Sequence, residues 1–179
     1  EAGFEVLTAW LNTGLNFEEQ AEARRVATAS LPAFIAERPK RWLEAVTPPV
    51  AEIAPLLQHL KTYLGDAGWL WLRACAVYPQ LAWELTLYLG ARLVGQYSEQ
   101  AAAVLRLVRL PWFRYGVMPD WLRGELIATF TPPEQTRVRR VIEDLLEHVR
   151  TAATGPLEVA TRPNADPNAD EDEPRWWRR

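Results

Sequence analysis

The side chains able to act as nucleophiles, bases or metal ligands are few in this chain and lie far apart. The serines are Ser30 and Ser98, the histidines His59 and His148, and the single cysteine is Cys75. Acyl transfer needs a nucleophile, a base and a group that orients the base, and no pairing of these residues supplies all three roles. Ser98 stands just before an apolar-periodic run and fits a helix cap better, while His59 flanks a leucine stripe as a half-exposed helix residue. Asp144 and His148 are four apart with Glu147 nearby, a spacing that offers two ligands on one helix face. With no second histidine near and no cysteine set, a surface ion pair is the better expectation. Cys75 lies in the apolar stretch 69–78 and reads as a buried, inert thiol. No Gly-x-x-x-x-Gly-Lys-Ser/Thr phosphate loop occurs. The chain is therefore expected to be non-catalytic and to need no metal or cofactor.

Recognition is the remaining chemistry, and three clusters offer it. Arg106, Arg109, Arg114 and Arg123 gather around an aromatic segment, opposed within that span only by Asp120, and could hold phosphates. Against nucleic acid, the chain carries 20 basic and 23 acidic residues, a formal charge of −3, so no global basic field exists. Residues 98–150 hold eight arginines and seven acids, and beyond Gln100 the helix from Ser98 has no array for reading base edges. The second cluster, Pro111-Trp112-Phe113-Arg114-Tyr115 with Trp121 shortly after, combines the aromatics and arginine that are enriched in protein–protein hot spots. The same residues could instead close a lid over the domain's own core, the commoner use of aromatics. The third is the terminus Arg175-Trp176-Trp177-Arg178-Arg179, whose indoles and positive charge suit the cytosolic headgroup layer beside a membrane span, or form a sticky tail.

The elements that position these residues read as helices. An apolar fraction of 49% over 179 residues is ample for a buried core, and no run reaches the roughly 18 apolar residues of a membrane span. Phe4, Leu7 and Leu11 share a face that Gly14 closes, and a second helix is expected over residues 17–30. Pro32, Pro39 and Pro48-Pro49 then cut the chain into short pieces docked by Phe34, Ile35, Trp42 and Leu43. Ile53, Leu56, Leu57, Leu60 and Leu64 form a helical stripe that Pro55 could delay and Gly65 ends. Further helices are expected over residues 67–78 and 81–93, with Pro79 between them, and from Ser98 through Arg109 with Ala102, Leu105 and Val108 facing inward. Residues 110–118, aromatic and carrying Gly116, read as an extended turn or short hairpin. Pro119 opens another helix. Thr131-Pro132-Pro133-Glu134 is a capping-box start for a long helix with the stripe Val138, Val141, Ile142, Leu145 and Val149.

The fold class expected is thus mainly α, a helical bundle with a short β-turn or hairpin near residues 111–118. Three parts follow: an N-terminal helical segment over residues 1–47, a domain over 48–153, and a polar linker with the Arg/Trp tail over 154–179. The last part, with Asn-Ala-Asp twice, is too poor in apolar groups to order itself.

The order from residue 66 to 130 is three helices, a short aromatic turn containing a glycine, and a helix beginning Pro119-Asp120-Trp121-Leu122-Arg123. It resembles the winged-helix region that follows the nucleotide-binding core of STAND ATPases, the class that includes NLR-type immune receptors, and the likeness extends over residues 66–150. There the wing is often followed by an aromatic or histidine, Asp-Leu-Leu-Arg and a long helix. Here Met118 or Pro119 fills the position often held by a nucleotide-sensing histidine, and the phosphate loop is missing. The resemblance implies a regulatory neighbour of a nucleotide-binding core, not the core itself.

The function expected is a non-catalytic regulatory or protein–protein interaction domain excised from a larger signalling or defence protein. Its partner is another protein or another domain of the same parent chain, and its place the cytoplasm, or the cytoplasmic face of a membrane if the tail tethers it. The alternative is a DNA-binding winged helix using the four arginines.

Overall fold

The computed structural model describes residues 31–95 and 97–151. The two expected helices before residue 31, the polar linker, and Arg175, Trp176, Trp177, Arg178 and Arg179 lie outside the described residues. Within them the chain is all-helical, with seven α-helices, one 3-10 turn and no strand. In order these are α1 (Ala33–Glu37), the 3-10 turn (Pro39–Leu43), α2 (Val50–Val77), α3 (Trp83–Leu93), α4 (Tyr97–Leu107), α5 (Pro111–Tyr115), α6 (Asp120–Ala128) and α7 (Pro132–Thr151). No helix among the described residues is long and apolar enough to cross a membrane.

Helix α2 is the hub, packed against α4, α6 and α3, while α7 lies on α3. Its start tolerates Pro55, which lies inside the helix and does not delay it. A proline this close to the start forfeits a single backbone bond, and the apolar stripe outweighs that loss. Ile53, Leu56, Leu60 and Leu64 are all buried along that stripe. At Gly65 the backbone leaves helical geometry (φ 69°, ψ 177°), so α2 is two helical runs joined at a break. A side chain tolerates such a conformation poorly, which is the reason for glycine. The Leu64 carbonyl, lacking its helical partner, accepts from Arg106 Nη1 at 3.2 Å, and Tyr63 Oη donates to the Arg106 carbonyl at 3.3 Å. The second run carries the fully buried Trp71 and Leu72. Trp71 packs directly on Gly90 of α3, where any Cβ would overlap its ring.

Two expectations are corrected here. Ala102 is buried as expected, but Leu105 and Val108 are only half-buried, and Ala101, Val104 and Leu107 lie deepest on α4. The unbroken apolar run 101–105 carries no phase of its own. The phase comes from Ala103, whose Cβ stands 3.5 Å from the place a Cβ on Gly68 would occupy. The hairpin near residues 111–118 is absent too. Pro111 starts the short helix α5, and Gly116 closes it in the left-handed region (φ 68°), with the Val117 N–H bonded to the Trp112 carbonyl. Proline at the first helical position and glycine just past the last turn are start and stop signals, and here they override the β preference of the aromatics.

The tryptophans do structural work through both ring and N–H. Trp42 Nε1 donates to the Phe34 carbonyl, Trp112 Nε1 to the Trp42 carbonyl at 2.7 Å, and Trp121 Nε1 to the Glu44 carbonyl at 3.0 Å. Trp112 and Trp121 tie the stretch before α2 to α5 and α6, and Trp42 braces that stretch internally, each indole satisfying a carbonyl near the end of a short element. Ile35 and Trp42 accordingly belong to the same buried cluster as Leu56 and Leu60.

Candidate functional site

The most concentrated polar chemistry lies where α2, α6 and α7 meet. Arg73 is only 4% exposed, and its guanidinium is fully engaged. It forms a two-pronged pair with Glu134 (Nη2 to Oε1 2.6 Å, Nη1 to Oε2 3.0 Å) and reaches the Thr129 carbonyl at 3.1 Å. The Phe130 and Trp69 rings lie against it, 4.7 and 5.4 Å from the guanidinium carbon. Glu134 also accepts from the Thr131 N–H and hydroxyl, each at 2.9 Å, which realises the glutamate half of the capping box. The Arg73 hydrogen bonds, helped by those from Thr131, hold the Glu134 carboxyl down at about 2. No buried side-chain polar atom of this cluster lacks a partner within the protein, so it is a structural clamp that fixes α7 to the hub. Its signal was half legible: Thr131 and Glu134 announce a cap, but nothing near Arg73 in sequence points sixty residues ahead.

The other arginines repeat one theme. Arg106 serves the Leu64 carbonyl, Arg123 Nε the Ala76 carbonyl at 3.0 Å, and Arg137 Nη2 the Leu93 carbonyl at 2.8 Å. Each closes a helical run whose last carbonyls lack backbone donors, and positive charge is favourable at that end. Of the four arginines with a phosphate-binding alternative, Arg106 and Arg123 are thus spent in part on helix ends. Arg109 acts on the Tyr63 hydroxyl, whose pKa burial raises and the arginines lower, and Arg114 is exposed.

The expected interaction residues divide in the same way. Trp112 is fully buried and Phe113 nearly so, packed against Trp83, which makes them core and not contact surface. Trp121 is half-buried, while Arg114 and Tyr115, the latter 56% exposed, face outward. Cys75 is buried beside Thr86, and burial pushes its thiol up to about 12, as befits an inert position. His59 and His148 each turn Nδ1 to the carbonyl four residues earlier, Pro55 and Asp144, so the Asp144/His148 spacing is used through the backbone. Among the described residues no three His, Cys, Asp or Glu side chains gather.

What remains open is an apolar cleft of about 200 Å³ between the end of α2, α6 and α7. Its walls are Val77, Ile127, Phe130, Val138 and Ile142, with Gln135, Arg139 and Glu143 along the α7 rim. Val77 and Ile127 are each 37% exposed. The apolar line continues along α7 to Leu146 and Val149, 52% and 53% exposed. Sequence reasoning placed Val149 on the inward stripe and did not single out Ile127 or Leu146. The α7 pattern has apolar residues on two adjacent faces, one turned to α3 through Val138 and Leu145 and one turned out, and periodicity alone merges them.

No family model, curated protein or solved structure matches the chain.

Proposed function

We propose that this domain is a non-catalytic, regulatory protein-interaction module of a larger signalling or defence protein. The observation that carries this reading is the open apolar cleft between α2, α6 and α7, continuous with Leu146 and Val149. Contiguous exposed apolar surface rimmed by charge is what an interaction site offers, and the clamp through Arg73 and Glu134 gives it rigid walls. The resemblance to the winged-helix region of STAND ATPases supports placing the module beside a nucleotide-binding core. In that reading the second run of α2, α3 and α4 supply its helices, and α5 stands where the wing would be. Partners are then another protein or another domain of the parent chain, in the cytoplasm or at the cytoplasmic face of a membrane.

A photo-crosslinking amino acid at Ile127, expressed in cells, tests the reading against the same label at Lys61 on a different part of the surface. Discrete adducts at Ile127 alone, lost with Ile142→Glu, are expected; equal labelling at both positions overturns it. Binding of duplex DNA at low salt, weakened by Arg109→Ala and Arg114→Ala and steeply salt-dependent, would favour the winged-helix alternative instead.

A further inference from the structure

Helix α7 covers the domain without belonging to its core. Among residues 132–150 only Val138 and Leu145 are buried, and Val138 alone belongs to the cluster that α2, α4 and α6 share, with Val141 and Ile142 half-buried against it. In the second run of α2, by contrast, residues 71–76 are buried without a gap. The one extensive packing partner of α7 is α3, and toward α2 and α6 the apolar cleft keeps the surfaces apart. Polar links near its start add to this: Glu134 pairs with Arg73, and Arg137 Nη2 reaches the Leu93 carbonyl at 2.8 Å. These are links that water can replace. If α7 lifts away, Glu134, Arg137 and the Leu93 carbonyl reach solvent, and Arg73 is uncovered while keeping the Thr129 and Trp69 carbonyls at 3.1 and 3.4 Å. No group is left both buried and unpaired, the condition that makes breaking a buried pair costly. The Thr131 cap travels with the helix, since its N–H and hydroxyl are bonded to Glu134.

We infer that α7 opens as a unit from a helical core that stays folded, with the Arg73–Glu134 pair as its latch. The inference stands independently of the interaction reading above. Regions with few buried apolar contacts open below the free energy of global unfolding, and α7 is such a region. Residues 129–131, between α6 and α7, are where the chain turns as the helix leaves. Opening uncovers Arg73 and the side of α3 beneath α7, so a partner that binds the uncovered form better shifts the domain toward it. Closed, the latch fixes α7 in place; the Glu134 carboxylate sets how much of the domain is open.

Native-state amide hydrogen exchange on the full chain, read by mass spectrometry, tests this. Residues 137–145 are expected to exchange together and, corrected for intrinsic rates, at least about 10-fold faster than residues 71–76 of α2. Glu134→Gln is expected to speed exchange in α7 about 10-fold. Variants of the core give the sharper comparison. Val104→Ala, at a fully buried position on α4, is expected to speed exchange at residues 71–76 about 10-fold and to leave residues 137–145 unchanged, because the open and closed forms lose the same contacts. Ile35→Val, a milder change at a fully buried position on α1, is expected to do the same by about 5-fold and serves where Val104→Ala does not fold. Equal protection of residues 137–145 and 71–76, or a core variant that speeds both alike, overturns the inference, because α7 then leaves only with the whole fold. So does an α7 that Glu134→Gln leaves untouched, or one that exchanges in a gradient from residue 150 inward, which is the fraying of a helix end.

Discussion

Two faces of α7 show opposite treatments of the same kinds of residue. The inward face meets α3 and, through Arg73, the hub; there Arg73, Glu134, Thr131 and Arg137 are all bonded within the protein and Val138 and Leu145 are buried. The outward face carries Arg139, Glu143, Leu146 and Val149 without such closure. Inside, charge is spent on holding helices together; outside, it is left beside apolar surface. The interior has one lapse, the buried Tyr88 hydroxyl on α3, which lacks a hydrogen-bond partner among the described residues. The contrast teaches that the domain's polar chemistry is mostly structural, and that function is to be sought where closure stops.

The largest effect is expected at the hub. Arg73→Met leaves Glu134 and the Thr129 carbonyl without their donor and is expected to cost about 3 kcal/mol, the lower range for breaking a buried pair because Glu134 is one-third exposed. Urea unfolding measures it. Arg73→Met/Glu134→Gln is expected to be more stable than Arg73→Met alone, because the second change removes the stranded carboxylate. A loss below about 0.5 kcal/mol for Arg73→Met would place this residue with ordinary surface charges and erase the contrast.

Next comes the pH dependence of the same clamp. The Glu134 carboxyl is held at about 2 against an ordinary 4.5, so the folded state favours its charged form. A depressed carboxylate contributes stability that is fully present above 4.5 and is lost as pH falls from there through 2. Discounted for solvent screening at its one-third exposure, the contribution is about 1–2 kcal/mol. Comparing wild type with Glu134→Gln by urea unfolding from pH 6 to pH 2.5 checks it. The gap between them should close toward the acid end, and a constant gap would assign the effect to packing alone.

Much of this architecture was legible from local signals. Gly65, Pro79, Pro119 and the Thr131 to Glu134 box mark helix ends that the structure shows, because each acts on its own backbone. Residues 110–118 went the other way: the aromatics argued for extended chain, while Pro111 and Gly116 bracketed a single helical turn, and the bracket won. The α4 face was illegible because its apolar run is continuous, so its phase depends on Ala103 meeting Gly68 thirty-five residues earlier. The same distance problem hid the arginine clamps. Arg106 and Arg123 read as part of a basic cluster, since a free carbonyl at a distant helix end leaves no mark in sequence. The cleft was hidden for a related reason: Val77, Ile127 and Ile142 become neighbours only once three helices have packed.

The smallest effect is the one that separates the two faces most cleanly. Leu146→Ser and Val149→Ser remove apolar side chains from the outer turns of α7, where about half of each residue is already in water. Deleting a buried leucine costs several kcal/mol through lost transfer energy and the cavity it leaves. Here the chain loses little of either, and exposed substitutions away from such features stay within about 0.5 kcal/mol. Urea unfolding at a concentration where the chain is monomeric should therefore show no resolved change for either variant. An apolar residue that adds nothing to the fold it stands on needs another reason to be apolar, and an unchanged monomer would leave contact with a second surface as that reason. A loss of about 2 kcal/mol would reverse the conclusion, placing Leu146 and Val149 in the domain's own core and returning the outward face to the hub's logic.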